Sequence, residues 1–405
     1  MPVDIPWIIS ADDHIVEPPH IWDTRLPKKY REIGPHIEYL PTGSVAFVDG
    51  RYAEVPGTDG PLVPWWHYED RYTSIKRYTA AAGFDPLEAD QTPITFEQMR
   101  PGCWQPKERL ADMDLNHVEA SLCFPNYPRF CGQIFNEAKD HDLSLLCVCA
   151  YNDWMVEEWC GDSGGRLIPL CLVPLWDAEL ARAEVERNAA RGVRAVAFSE
   201  LPGWLDLPSF HSGYWDPFLR ACEETETVVC MHIGSGTRMI VTSPDAPIAV
   251  SNLMGFGNTA AGMSDVLMGG LLARFPGLKL MYAECQLGWI PFLLQRADEL
   301  WVEHRWSFDD SLTGAITELP STYYKGRIFS CFFRDAVGLE NLHHIGEDQV
   351  LFESDYPHND STWPNTASIA SELFEGLEQS TIQKLCRDNA IRLFGLDLPV
   401  DTTLA

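Results

Sequence analysis

Four side chains with metal-binding atoms stand at the ends of apolar runs that lie far apart in the chain. They are Asp12 and His14 in ISADDHI, His232 in VVCMHIGSG and Asp355 in VLFESDYPH. Residues two apart along a strand share a face, so Asp12 and His14 point the same way while Asp13 turns aside. Two imidazoles and two carboxylates converging from three strand ends make a ligand set for one divalent cation. Taken singly, each residue reads as a hydrogen-bonded loop position. The shared register is what points to a metal.

Further groups fall near the same ends. His358 follows Asp355 by three residues and could orient substrate or ligand; the plainer reading is a surface histidine. Arg238 and Arg334 come after their strands and could pair with a substrate carboxylate, or stay as surface cations. His343 and His344 precede a strand, at the opposite end, and read as structural. Cys285 and Cys331 read as core residues, with no neighbouring base to activate them.

The elements that must position these residues alternate between short apolar runs and amphipathic helices. Strands are expected at Trp7–Ala11, Val118–Phe124, Leu167–Val173, Ala195–Ser199, Val228–Ile233, Leu278–Glu284, Ile328–Phe333 and Val350–Ser354. Near-continuous apolarity implies burial on both faces, as a parallel sheet requires. Between them, Asp177 caps a helix that Gly192 ends, and Asp216 with Pro217 reads as N-cap and first turn. Ile290, Leu293, Leu294, Ala297 and Leu300 form one apolar stripe. Ser380 and Gln383 make a capping-box pattern before a last helix that Gly395 closes.

Eight alternating units point to a closed (β/α)8 barrel forming a single domain over residues 1–405. A doubly wound open sheet would want a glycine-rich turn after its first strand, and ADDHIVEPP is none. Residues 15–117 form a long insertion after strand 1. It carries the hairpin signal SVAFV-DG-RYAEV and a stretch with Trp65, Trp66 and Tyr68. Attached at the carboxyl end of a barrel strand, it belongs over the mouth as a lid or a subunit contact. Its aromatic residues favour a ring-shaped substrate, or simply pack the insertion.

Composition narrows the partners. Acidic residues outnumber basic ones 59 to 30, for a net charge of −29, which repels nucleic acid and anionic lipid. The twelve cysteines sit mostly inside apolar runs and form no CxxC pair, as expected in a reducing compartment. The amino terminus has no secretory pattern, and no apolar stretch is long enough to span a membrane. A soluble, cytoplasmic protein is expected.

With the Asp-x-His of ADDHIVEP, His232 in MHIG, Asp355 in ESDYPH and the ending NAIRLFGL, the chain resembles the amidohydrolase-related family along essentially its whole length. The branch in question contains aminocarboxymuconate-semialdehyde decarboxylase and the γ-resorcylate-type decarboxylases. The resemblance implies a distorted TIM barrel and one zinc or manganese ion on Asp12, His14, His232 and Asp355. It also implies a homo-oligomer. Many members of the wider superfamily begin with His-x-His; a carboxylate at Asp12 hardens the site and favours manganese more than imidazoles would. Strand 4, AVAFSE, has no lysine to bridge two metals, and strand 6 has Glu284 where binuclear relatives have histidine. Both argue for one ion. Glu284 then becomes a candidate for substrate binding or proton transfer, or an acceptor behind the ligands.

Two chemistries suit such a centre. In a non-oxidative decarboxylase the metal chelates the carboxylate of an aromatic or unsaturated acid, and an acid (Asp355 by resemblance, Glu284 second) protonates carbon. In a hydrolase the metal lowers the pKa of bound water, Asp355 takes its proton, and Glu284 or His358 assists the leaving group. Asp12 and the single ion favour decarboxylation of a small anionic substrate. A non-catalytic, metal-stabilised binding protein is the third reading.

Overall fold

Parallel strands buried along their whole length form the centre of this computed structural model, which describes residues 3–308 and 316–398. The single domain expected over residues 1–405 extends at both ends beyond the described residues. β1 (Ile8–Ile15) is followed in the inserted segment by β2 (His36–Pro41), β3 (Ser44–Val48), β4 (Arg51–Val55), β5 (Leu62–Tyr68) and β6 (Arg71–Ser74). The barrel resumes with β7 (Val118–Pro125), β8 (Leu167–Ile168), β9 (Leu170–Cys171), β10 (Ala195–Phe198), β11 (Val228–His232), β12 (Leu280–Ala283), β13 (Ile328–Phe332) and β14 (Val350–Phe352).

The ladders run β1–β7–β8 and β9–β10–β11–β12–β13–β14, all parallel. The run expected as one strand, Leu167–Val173, is broken into β8 and β9 by Pro169, which has no amide hydrogen to give a ladder. Between β14 and β1 there is no regular ladder. Instead the amide of Asp355 donates to the carbonyl of Asp12 at 3.0 Å and that of His14 to Tyr356 at 2.7 Å. The result is a distorted (β/α)8 barrel whose last seam lies directly beneath the candidate ligands.

The helix signals are recovered with small shifts. Asp177 caps Ala178–Ala189 through the amides of Glu179 and Leu180, and Gly192 adopts φ +88° shortly after it. Asp216 is the first residue of its helix, with Trp215 at the cap position. The capping box expected at Ser380 does not form: the helix begins at Gln379 and then widens into a π-turn over Lys384–Asp388. That turn buries Arg387, whose guanidinium grips Glu119 of β7 at 2.7 Å.

In the inserted segment, β2, β5 and β6 form an antiparallel sheet and β3 pairs with β4. The β3–β4 turn is Asp49-Gly50, both with positive φ (49° and 76°), as a two-residue hairpin of the expected type demands. Trp65, Trp66 and Tyr68 are buried. Trp66 stacks on Tyr127 at 4.4 Å and meets Trp22 edge-on at 5.1 Å, so these rings bind the insertion to the barrel. The helix Pro106–Leu115 closes the segment and is the crossover from β1 to β7. Among the described residues, no helix is long and apolar enough to cross a membrane.

Candidate metal centre

The site starts from an irregularity in β1. Ser10 pairs with Ser121 and Asp13 with Cys123, so three residues of β1 span two of β7, a bulge that re-aims the strand end. Asp12 and His14 face the barrel axis and are fully buried. Asp13 turns the other way, into a pocket of donors. It accepts from Ser10 Oγ at 2.9 Å, Ser354 Oγ at 2.6 Å, the Tyr356 amide at 3.1 Å and Ser121 Oγ. One carboxylate thus ties β1, β7 and the 353–356 segment together. It fixes where Asp12, His14 and Asp355 stand. Arg109, from the crossover helix, donates to the carbonyl of His14 and holds the strand end from behind.

His232 ends β11. Its Nδ1 lies 2.7 Å from the carbonyl oxygen of Ile233, which can only accept, so Nδ1 carries the proton and Nε2 presents a lone pair inward. Phe130 stacks on this ring at 4.0 Å. Asp355 and Glu284 both adopt left-handed backbone conformations (φ 56° and 53°), which non-glycine residues take at a cost and which concentrate at functional sites.

These elements bring the donors together. His232 Nε2 is 3.2 Å from His14 Nε2 and 3.3 Å from Asp12 Oδ2; His14 Nε2 is 3.2 Å from Asp355 Oδ1. Ligands bound to one ion at about 2.0–2.2 Å stand about 3.0–3.5 Å from each other. The spacing fits. Both carboxylate oxygens of Asp12, and Asp355 Oδ1, are buried without a hydrogen-bond partner, which is costly unless a cation is their partner. The electrostatics agree. Burial, then the charges of Glu284 and Asp13, push Asp12 well above the ordinary carboxylate range. Burial, then Glu284 and Asp12, do the same to Asp355. Burial, then His358 and His232, hold His14 well below the usual histidine value, in the neutral form a metal requires. Among the described residues, Asp12, His14 and His232 gather with Glu284 as donors within reach of one ion, while Asp355 groups with His14, Glu284 and His358, so the expected set is brought to one place with Glu284 as a competing fourth ligand.

Glu284 and His358 join the same cluster. Glu284 Oε1 is 3.7 Å from His232 Nε2 and 3.8 Å from His358 Nδ1. Burial works to raise Glu284, but His232 and His358 beside it hold it low. His358 stacks on His14 at 3.7 Å and sets Nδ1 3.1 Å from Asp355 Oδ1. Its Nε2 lies 3.3 Å from Asn126 Oδ1. Asn126 is oriented by its own amide group, which donates to the carbonyl of Ile15 at 3.0 Å. Glu17 accepts from the amides of Asn126 and Tyr127 at 3.0 and 2.7 Å and anchors that turn. Sequence reasoning missed Asp13 as an organiser, and Glu17, Asn126 and Phe130 entirely. The only available signal for the last two was their place just after β7.

The other candidates lie apart. Arg238 pairs with Asp49 of the hairpin at 2.8 Å, both half exposed, and Arg334 lies 3.9 Å from Asp360. His343 and His344 are exposed on the helix Leu342–Ile345 that precedes β14. Cys285 and Cys331 are buried thiols whose pKa burial pushes up, as core residues would be. All twelve cysteines are free.

Comparison with known proteins gives the family and the fold. The amidohydrolase family model matches residues 20–396. A γ-resorcylate decarboxylase from a Rhizobium species is 23% identical over 316 residues, covering 71% of this chain and 86% of that one. An amidohydrolase from Mycobacterium avium subsp. paratuberculosis superposes with a TM-score of 0.67 at 21% identity, over 96% of this chain and 99% of that one. A 5-carboxyvanillate decarboxylase from Novosphingobium aromaticivorans, crystallised with manganese and a hydroxy-methoxy-nitrobenzoic acid, superposes with a TM-score of 0.63 at 15% identity, over 96% and 97%. The chain belongs to the amidohydrolase family.

Proposed function

We propose that the protein is a metal-dependent, non-oxidative decarboxylase of an aromatic carboxylic acid. The observation that carries this reading is the cluster itself: donors for one cation beside a proton-bearing pair, Asp355 and His358, 3.1 Å apart. Relatives named for γ-resorcylate and 5-carboxyvanillate decarboxylation give the same direction. Asp12, His14, His232 and Asp355 would hold the ion, zinc or manganese. It would supply Lewis-acid stabilisation of charge on the substrate's carboxylate and neighbouring oxygen.

The chain's own residues do the rest. Ring decarboxylation needs a proton delivered to the ring carbon that bears the carboxyl group; the C–C bond then breaks, its electrons return to the ring, and CO2 leaves. Asp355 is placed to hold that proton, and His358 to restore it from behind. Asn126 keeps His358 turned toward Asp355 by occupying its far nitrogen. Burial holds His358 below the usual histidine value, and Glu284, low and ionised, opposes that across 3.8 Å. Of the two arginines, Arg334 has the looser partner, Asp360 at 3.9 Å against Asp49 at 2.8 Å for Arg238, and is the one proposed for a second anionic group.

The wider expectations belong to the same reading. The hairpin reaches the loop after β11, where the Met239 amide donates to the carbonyl of Gly50 at 2.9 Å, which supports a cover over the strand ends. Free cysteines throughout support a cytoplasmic location. A homo-oligomer is tested by sedimentation. The reaction itself is tested by incubating manganese-loaded protein with a panel of hydroxylated benzoic acids and measuring CO2 and product mass. Loss of CO2 supports decarboxylation, whereas a product heavier by one water means the same centre hydrolyses.

A further inference from the structure

A second cluster of ring nitrogens lies in the inserted segment. In the antiparallel pair β2–β5, His36 stands opposite His67, and Glu38, two residues on, shares the face of His36. His67 Nδ1 is 2.6 Å from Glu38 Oε1, and His36 Nε2 is 3.3 Å from the same oxygen. The remaining nitrogen of each ring is already committed. His36 Nδ1 donates to the carbonyl of Gly34 at 2.8 Å, and His67 Nε2 to that of Glu69 at 2.7 Å. Carbonyl oxygens only accept, so those are the nitrogens that carry hydrogen in neutral rings. What faces Glu38 is then two bare lone pairs beside a carboxylate oxygen.

The 2.6 Å contact between His67 and Glu38 is of hydrogen-bond length, shorter than the about 3.0–3.5 Å that two ligands of one ion keep, so a proton bridges it when no metal is bound and the pair opens slightly to admit an ion. One proton serves a single pair; a divalent ion serves all three at once. The ligand atoms lie within 4.8 Å of one another. Tyr72 stacks on His67 at 4.3 Å and sets the plane of its ring, while the two carbonyls orient both imidazoles as they do in protein metal sites. The three side chains are only 23–34% exposed, enough for an ion to enter and keep water in its open position. We infer that His36, Glu38 and His67 form a second divalent-cation site that staples β2 to β5. Two imidazoles and one carboxylate suit zinc, nickel or copper better than manganese, which separates this site from the carboxylate-rich centre at the strand ends.

The test uses full-length His232→Ala protein, in which the strand-end centre is disabled, titrated with zinc at pH 8 by calorimetry. One equivalent of zinc per chain is expected, together with a higher melting temperature as zinc rises. Adding Glu38→Gln, or His36→Asn with His67→Asn, should abolish both effects. In the otherwise native chain, His67→Asn should keep the strand-end ion and full turnover. Failure of His232→Ala protein to take up zinc, or uptake unchanged by Glu38→Gln, would overturn the site. Either result leaves the strand-end reading untouched, because that is read from manganese content and CO2 release in the native chain.

Discussion

His14 and His232 are 218 residues apart in the chain, yet their Nε2 atoms stand 3.2 Å from each other. The bulge in β1 and the end of β11 bring them there. Buried Asp12 and Asp355 oxygens, with no hydrogen-bond partner, complete the ring around them. A common cation is the partner this arrangement asks for, and its consequences can be measured.

His232→Ala should remove the ion and turnover together. Losing several kcal/mol of charge stabilisation corresponds to a fall in kcat/KM of about 100-fold or more. The far-ultraviolet circular dichroism should not change, since the ring is held by local contacts and not by the ladder. Elemental analysis and steady-state rates check both halves.

Asp12→Asn should act in opposite directions with and without metal. Burial, then Glu284 and Asp13, raises Asp12 in the folded, metal-free protein. A raised folded pKa means the native state binds the proton more tightly, so stability is greatest at low pH and is lost as pH rises through the folded value. Metal-free Asp12→Asn should therefore melt higher than native protein at pH 8, by on the order of 1 kcal/mol in stability. In excess manganese the order should reverse. Calorimetric melts with and without chelator decide it.

Glu200, behind His232, supplies a further pH dependence. It is fully buried, accepts from the Gly234 amide at 3.0 Å and Thr259 Oγ1 at 3.1 Å, and burial pushes its pKa up to about 8. By the same sign, its contribution to metal-free stability falls between about pH 4.5 and 8. Glutamine can keep both hydrogen bonds. Glu200→Gln should be near neutral at pH 5 and stabilising by on the order of 1–3 kcal/mol at pH 8. Urea melts at the two pH values read this out.

Asn126→Ala should slow turnover without releasing the ion. Its Oδ1 fixes the far nitrogen of His358, and loss of such a support typically costs about 10–100-fold in activity. His358→Asn should lower kcat further, in the range of about 100-fold to 10,000-fold for a proton-transfer group, with KM little changed. Arg334→Ala, by contrast, should raise KM. Steady-state kinetics on all three separates the roles.

Much of this was legible in the sequence, for identifiable reasons. Strands buried on both faces are apolar throughout, so their ends, and with them Asp12, His14, His232 and Asp355, could be located from composition alone. The Asp49-Gly50 hairpin announced itself because only such residues take two positive φ angles cheaply. What stayed hidden depends on tertiary contacts. Nothing in ADDH shows that Asp13 gathers donors from β7 and the 353–356 segment, because those serines are over a hundred residues away. Glu17 and Asn126 look like ordinary loop residues until the turn after β7 is laid against the end of β1. Ser380 and Gln383 matched a capping box, but the helix starts two residues earlier, with Glu378 at the cap position, and widens into a π-turn that buries Arg387 against Glu119.

The central claim is one cation held by four residues from three strand ends, and anomalous diffraction from manganese-loaded crystals tests it most directly. The account requires an anomalous peak within about 2.0–2.3 Å of donor atoms from Asp12, His14, His232 and Asp355. A loaded protein with no peak there, or with its strong peak bounded by other side chains, would contradict it.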